Sequence, residues 1–163
     1  MRTGWNRRSG AMPRASLIGL LAFTALAVMA SLTAHALTQE HETRAREFQA
    51  RLLASPLPIE TRPTLDPAQF KDPKIRSAYR AARDIPGVMD KMFCYCYCEI
   101  LPMYGEKEFH KSLLTCFINN HASKCLRCVT QAVETARHHR EGKKPEEIAR
   151  IFAARYATVP VKK

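Results

Sequence analysis

The chain has 163 residues, 46% of them hydrophobic and 25% charged, with a net charge of +11. This is the composition of a folded basic protein with room for one domain, and it excludes an unstructured polyelectrolyte. No basic stripe is interleaved with exposed aromatics, so the charge reads as a solvated surface rather than a nucleic-acid interface.

Residues 1–36 carry Arg2, Arg7, Arg8 and Arg14 with no acid, then an apolar run from Leu17 to Ala30, then Ala34-His35-Ala36. Basic, apolar and small-x-small regions in this order are the parts of a secretory signal peptide, with cleavage expected after Ala36. Retention is the competing reading, because residues 17–36 have about the length an α-helix needs to span a bilayer and anchor the protein in an inner membrane. Either way the arginines stay inside and the rest is expected outside the cytoplasm, periplasmic or secreted. Without residues 1–36, 22 basic residues face 15 acidic ones, a charge of +7.

Residues 37–54 lack Gly and Pro and place Ala45, Phe48 and Leu52 at helical spacing, which predicts a polar helical stalk or a lightly docked helix. Pro56, Pro58, Pro63 and Pro67 then predict an extended linker over 55–72, since proline fixes φ and disfavours helix in the residue before it. Asp72-Pro73 reads as an N-cap with proline at the first helical position, and Ile75, Ala78, Tyr79 and Ala82 share a face up to Ile85-Pro86-Gly87. A folded domain is expected over 73–157, followed by a basic tail, 158–163.

Cys94, Cys96 and Cys98 alternate with Tyr95 and Tyr97. A period of two predicts an extended segment with three sulfurs on one side and two phenols on the other. A turn at 101–105 leads to a helix expected over Glu106–Asn119, with Phe109, Leu113, Cys116 and Phe117 inward. The next helix, about Ser123–Arg140, places Cys125, Cys128, Val129, Ala132 and Ala136 on one side and stops at Gly142. Pro145 opens a last helix that returns Ile148, Ile151, Phe152 and Tyr156 to the core. The fold class is therefore mainly α: a small cysteine-rich helical bundle with one short extended Cys-x-Cys-x-Cys segment. A core of this size is marginal without a staple, which metal or disulfides would supply.

All six cysteines lie between Cys94 and Cys128. Three chemistries suit them. Thiolates converging from Cys94, Cys96, Cys98, Cys116, Cys125 and Cys128 would hold a soft cation, Cu(I) first, with Zn(II) or an iron–sulfur cluster also accommodated. His110 and His121 stand at the edge of this ligand set. Thiol–disulfide or electron transfer with a partner protein is the enzymatic alternative, with Cys125 and Cys128 as the exchanging pair near a helix N-terminus, their pKa lowered there. Disulfides that only staple the fold are the third, although residues two apart in a strand stand about 6.6 Å apart, which discourages bridges within the triplet. No Cys-x-x-Cys-His occurs, so covalent haem attachment is unsupported, and no other catalytic residue is assigned.

Cys94-Tyr95-Cys96-Tyr97-Cys98, His110-Lys111-Ser112-Leu113 with Cys116, and His121-Ala122-Ser123 with Cys125 and Cys128 together resemble the exported bacterial PCYCGC-motif proteins and the related CYCXC family. The chain departs from the first group with Phe93 in place of proline and Tyr97 in place of glycine, and it has no lipid-modified cysteine. The resemblance implies a bacterial extracytoplasmic protein and brings no activity with it. Selenocysteine in CYCXC relatives implies a reactive or metal-binding chalcogen at these positions.

Overall fold

The computed structural model describes residues 14–56, 58–98 and 110–156, with side chains from residue 22 onward except at 37, 38 and 41. Its regular elements are helices α1 (Arg14–Ala54), α2 (Pro73–Asp84), α3 (Pro86–Met89), α4 (Leu126–Arg140) and α5 (Pro145–Tyr156), with 3-10 turns at Pro67–Gln69, Leu114–Phe117 and Ala122–Lys124. Among the described residues there is no strand.

The chain divides into residues 1–39 and 40–163. In the first unit the described part is helical, and Phe23, Leu26, Val28, Met29 and Leu32 are exposed. Among the described residues no helix is long and apolar enough to cross a membrane. Much of the expected leader or anchor, including its arginines and the start of its apolar run, lies outside the described side chains.

The second unit begins earlier than expected, at Glu40. Of the two readings of the next helical segment, stalk or docked helix, the structure has the docked one: Ala45, Gln49 and Leu52 are buried along one seam. The Gln49 amide fixes the docking by donating to the Lys91 carbonyl at 2.6 Å and accepting from the Phe93 N–H at 2.9 Å. The proline-rich stretch is likewise no free linker. Buried Asp90 accepts the N–H groups of Ile59 (2.6 Å) and Glu60 (3.2 Å), and the Leu65 N–H reaches the Phe117 carbonyl at 2.9 Å. Phe70 stacks on Tyr79 with ring centroids 4.0 Å apart. Apart from the 3-10 turn at Pro67–Gln69 the stretch has no regular element, and its backbone finds hydrogen-bond partners on the folded domain.

Helix α2 begins where the sequence places it, because the Asp72 carboxylate accepts from the N–H groups of Lys74 (2.8 Å) and Ile75 (3.0 Å), satisfying two donors the first turn leaves open. Its buried face, Ala78, Tyr79, Ala81 and Ala82, packs against α4, with the Tyr79 ring edge-on to Phe117. Helix α4 ends before Gly142, whose φ of +80° suits glycine. Helix α5 starts at Pro145 and buries Ile148, Ala149 and Phe152.

Glu60 shows what the wrapped segment contributes. Its side chain is buried and takes three hydrogen bonds from Arg62, through Nε (2.9 Å), Nη2 (2.8 Å) and the backbone N–H (3.0 Å). The Arg62 side-chain bonds hold its pKa down at about 2, against the opposing effect of burial. A carboxylate whose folded pKa is depressed adds stability above its unfolded pKa, and that stability is lost as pH falls through the folded one. Because Arg62 is half-exposed and screened, the contribution at neutral pH is about 2 kcal/mol. Glu60→Gln is expected to lower stability by that amount at pH 7 and to leave the two proteins equally stable near pH 2. Acid unfolding followed by circular dichroism checks it; parallel curves at all pH values would contradict it.

Candidate metal centre

The cysteine triplet lies on a turn. The Tyr97 N–H closes onto the Cys94 carbonyl at 3.0 Å, and Tyr97 has a φ of +60°. The expected extended segment is therefore corrected, and the reason is hydrogen bonding: a strand needs a ladder, and among the described residues no second strand adjoins it.

Side chains take the place of the ladder. Gln131 of α4, fully buried, donates to the Phe93 carbonyl at 2.5 Å and accepts from the Tyr95 N–H at 3.2 Å. Gln49 of α1 holds Phe93 from the other side, and Arg127 donates to the Tyr95 carbonyl at 2.9 Å. The Leu113 N–H reaches the Met92 carbonyl at 2.8 Å and the His110 N–H reaches Cys98 at 3.3 Å, so the second cysteine segment is sewn to the first.

The turn brings the three sulfurs close together. Cys94 and Cys96 sulfurs are 3.1 Å apart, and those of Cys96 and Cys98 are 3.2 Å apart. The 6.6 Å spacing of a strand does not apply, so contacts within the triplet are not discouraged. Phe93, Tyr95 and Tyr97 pack edge to face with one another, with ring centroids 4.9 to 6.5 Å apart.

The segment carrying Cys116 also differs from expectation. Residues 106–109 of the expected helix lie outside the described residues; from His110 onward the chain is a series of turns with 3-10 geometry at Leu114–Phe117. Leu113, Leu114, Thr115, Cys116 and Phe117 are all buried, and five consecutive buried residues cannot share one face of an α-helix. Ser112 anchors the segment by donating to Asp90 at 2.6 Å.

These elements bring together two four-donor groups: Cys94, Cys96, Cys116 and Cys128, and Cys96, Cys98, Cys116 and His121. Within each, all ligand atoms lie within 4.8 Å of one another and every residue is buried. Cys128 stands 3.6 Å from Cys94 and 3.5 Å from Cys96, and Cys98 stands 3.6 Å from Cys116. Four thiolates about 2.3 Å from one metal would be about 3.8 Å apart, so the donor spacing fits a thiolate-bound ion with little movement. Five of the predicted cysteines and His121 are thus assembled. Cys125 stands outside both groups, at the start of α4, and is the most exposed cysteine at 9%. His110 is also outside them; its Nδ1 lies 3.2 Å from the Cys116 sulfur and its ring meets His121 edge-on at 4.2 Å.

All six cysteines are free. Hydrogen bonds from Cys116 and Cys128 hold the Cys94 thiol down at about 6, and bonds from Cys116, Cys125 and Cys128 hold Cys96 well below the usual thiol range. Burial, together with the hydrogen bonds to Cys128, Cys94 and Cys96, pushes Cys116 well up. Cys98 is pushed up by Cys94, Cys96 and burial despite the opposing bond to Cys116, and Cys128 by Cys125, Cys94, Cys96 and burial, again against Cys116. Cys125 is pushed up to about 11, where Cys96 and burial outweigh its bond to Cys128. The lowered pKa expected of the Cys125–Cys128 pair is therefore corrected: the downward shifts fall on Cys94 and Cys96 instead. A buried cluster stabilises a first negative charge through its S–H donors and resists further ones until a cation balances them.

Sequence reasoning missed Gln49, Gln131 and Asp90. Gln49 did leave a signal, as a polar residue beside the apolar stripe of Ala45, Phe48 and Leu52, whereas Gln131 shares its buried face with Thr135 and His138. Asp90, in the turn after α3, left none.

Fold and site together define a small helical protein built around a buried cluster of thiols at metal-ligand spacing. The chain belongs to the family described as proteins of unknown function with a PCYCGC motif, which matches residues 20–160. Comparison with curated proteins and with solved structures gives no match. The family motif has glycine at the position of Tyr97, and the φ of +60° gives the reason: glycine adopts it freely, while tyrosine does so at a cost of roughly 1–2 kcal/mol, offset here by burying its ring.

Proposed function

We propose that this is an exported protein that binds a soft metal, Cu(I) first, through the thiolates of Cys94, Cys96, Cys98, Cys116 and Cys128. The observation that carries the reading is the convergence of five buried sulfurs and one imidazole into two four-donor groups. Soft, polarisable sulfur donors select Cu(I) and Zn(II) over hard cations. Burial of all five cysteines keeps water and oxidant from the sulfurs. Cys125, the most exposed thiol, is the natural first ligand for an incoming ion. The metal is cargo or a resident structural ion, the partner is whatever delivers or receives it, and the arginine-rich leader delivers the chain across the inner membrane or anchors it there.

Thiol exchange by Cys125 and Cys128 draws no support from their environment, since both are held as thiols. Replacing Cys96 with Ser separates the two readings. Cu(I) affinity, measured by competition with a chromophoric chelator, is expected to fall at least ~100-fold, because Cys96 belongs to both groups. A variant that binds Cu(I) as tightly as the wild type, with a Cys125–Cys128 pair that still titrates as a redox couple, would sink the metal reading.

A further inference from the structure

The two donor groups share two members, Cys96 and Cys116. The remaining donors divide cleanly: Cys94 and Cys128 belong only to the first group, Cys98 and His121 only to the second. Two tetrahedra that share an edge have this composition, with six donors, two of them common. We propose that the centre holds two metal ions side by side, with Cys96 and Cys116 as bridging thiolates, Cys94 and Cys128 completing one ion's shell, and Cys98 and His121 completing the other's. This rests on the metal-binding reading and adds to it a stoichiometry and a division of labour.

Three observations carry the inference. One four-coordinate ion would leave two of the six assembled donors idle, and both idle donors would be buried polar groups in a packed core. The shared sulfurs reach both sets of outer donors: Cys96 is 3.1 Å from Cys94, 3.5 Å from Cys128 and 3.2 Å from Cys98, and Cys116, 3.6 Å from Cys98, lies within 4.8 Å of every other donor in both groups. A thiolate has lone pairs for two metal ions, and bridging spreads its charge, so two divalent ions (+4) meet five thiolates (−5) with a small net charge in the buried site. The arrangement also gives His110 a part that needs no direct ligation, since its ring nitrogen beside the Cys116 sulfur can donate to a bridging thiolate and orient it.

The test is native mass spectrometry of the full chain with Zn(II) alone, an ion satisfied by four such donors. The wild type is expected to saturate at two ions per chain. Cys94→Ser/Cys128→Ser removes the outer ligands of one ion and is expected to hold one; Cys98→Ser/His121→Ala removes those of the other and is also expected to hold one. Cys96→Ser/Cys116→Ser is expected to hold none. X-ray absorption at the zinc edge of the loaded wild type needs no variant and is expected to show metal–metal scattering. Saturation at one ion without such scattering would overturn the shared-edge arrangement and leave the metal-binding reading standing. Any ion that survives in Cys96→Ser/Cys116→Ser would also overturn it, since that ion would be bound without the shared sulfurs. A chain that takes up neither Zn(II) nor Cu(I) would remove both readings.

Discussion

Stripping the metal from the loaded protein with a chelator is expected to lower its thermal midpoint by roughly 10–20 °C. An ion that binds only the folded state, at a free concentration about a thousand times its Kd, stabilises by about 4 kcal/mol, and a domain of this size shifts by several degrees per kcal/mol. The sign of the pH dependence follows from the thiols. Neighbouring thiols favour the ionised form at Cys94 and Cys96, whereas Cys98, Cys116 and Cys128 are pushed toward keeping their protons until a cation replaces them. Loading at pH 7 is therefore expected to release protons, and the midpoint difference should grow as pH rises and shrink as pH falls and the thiols hold their protons more tightly. Calorimetry in two buffers of different ionisation enthalpy counts the protons. A midpoint that moves by less than about 2 °C, or uptake without proton release, would contradict the account.

Replacing Gln131 with Leu is expected to be the most damaging change outside the cysteines. The substitution keeps the volume and the helix but leaves the Phe93 carbonyl and the Tyr95 N–H buried without their partner, at about 1–3 kcal/mol each. Set against the added apolar burial, a loss of about 3 kcal/mol and a fall of roughly 10–15 °C in the midpoint follow. Gln131→Glu still accepts from Tyr95 but cannot donate to Phe93 when ionised, so it does not rescue the clamp. Since the triplet turn depends on this clamp, metal affinity is expected to fall in Gln131→Leu although no ligand has been touched. Thermal unfolding by circular dichroism checks the first part and chelator competition the second. Wild-type values in both would mean that the sulfurs alone shape the turn.

What the sequence disclosed was whatever depends on local pattern. Asp72-Pro73 marks the start of α2 through a capping bond between near neighbours, and Pro145 and Gly142 mark helix ends through backbone conformations that belong to single residues. The membership of the cluster was legible too, because six cysteines gathered in one stretch are a composition signal. The shape of that stretch was not. Alternation of Cys with Tyr is a strand signal only if a ladder exists, and the partners that replace it, Gln49 and Gln131, lie 44 and 36 residues from the groups they accept from. The same dependence on distant residues hid the docking of 40–54 and the wrapping of 58–70. Cys125 was grouped with Cys128 by its Cys-x-x-Cys spacing, yet it caps α4 and stands outside both groups while Cys128, a turn further on, points into one of them.

The central claim is that these sulfurs hold metal, and the most direct test is the intact mass of protein recovered without reductant, first under native conditions and then denatured with alkylation. The account predicts a native mass above that of the chain, an excess that vanishes on denaturation, and alkylation of all six cysteines. A mass six hydrogens light, with nothing bound and no thiol left to alkylate, would contradict it and leave a domain stapled by disulfides.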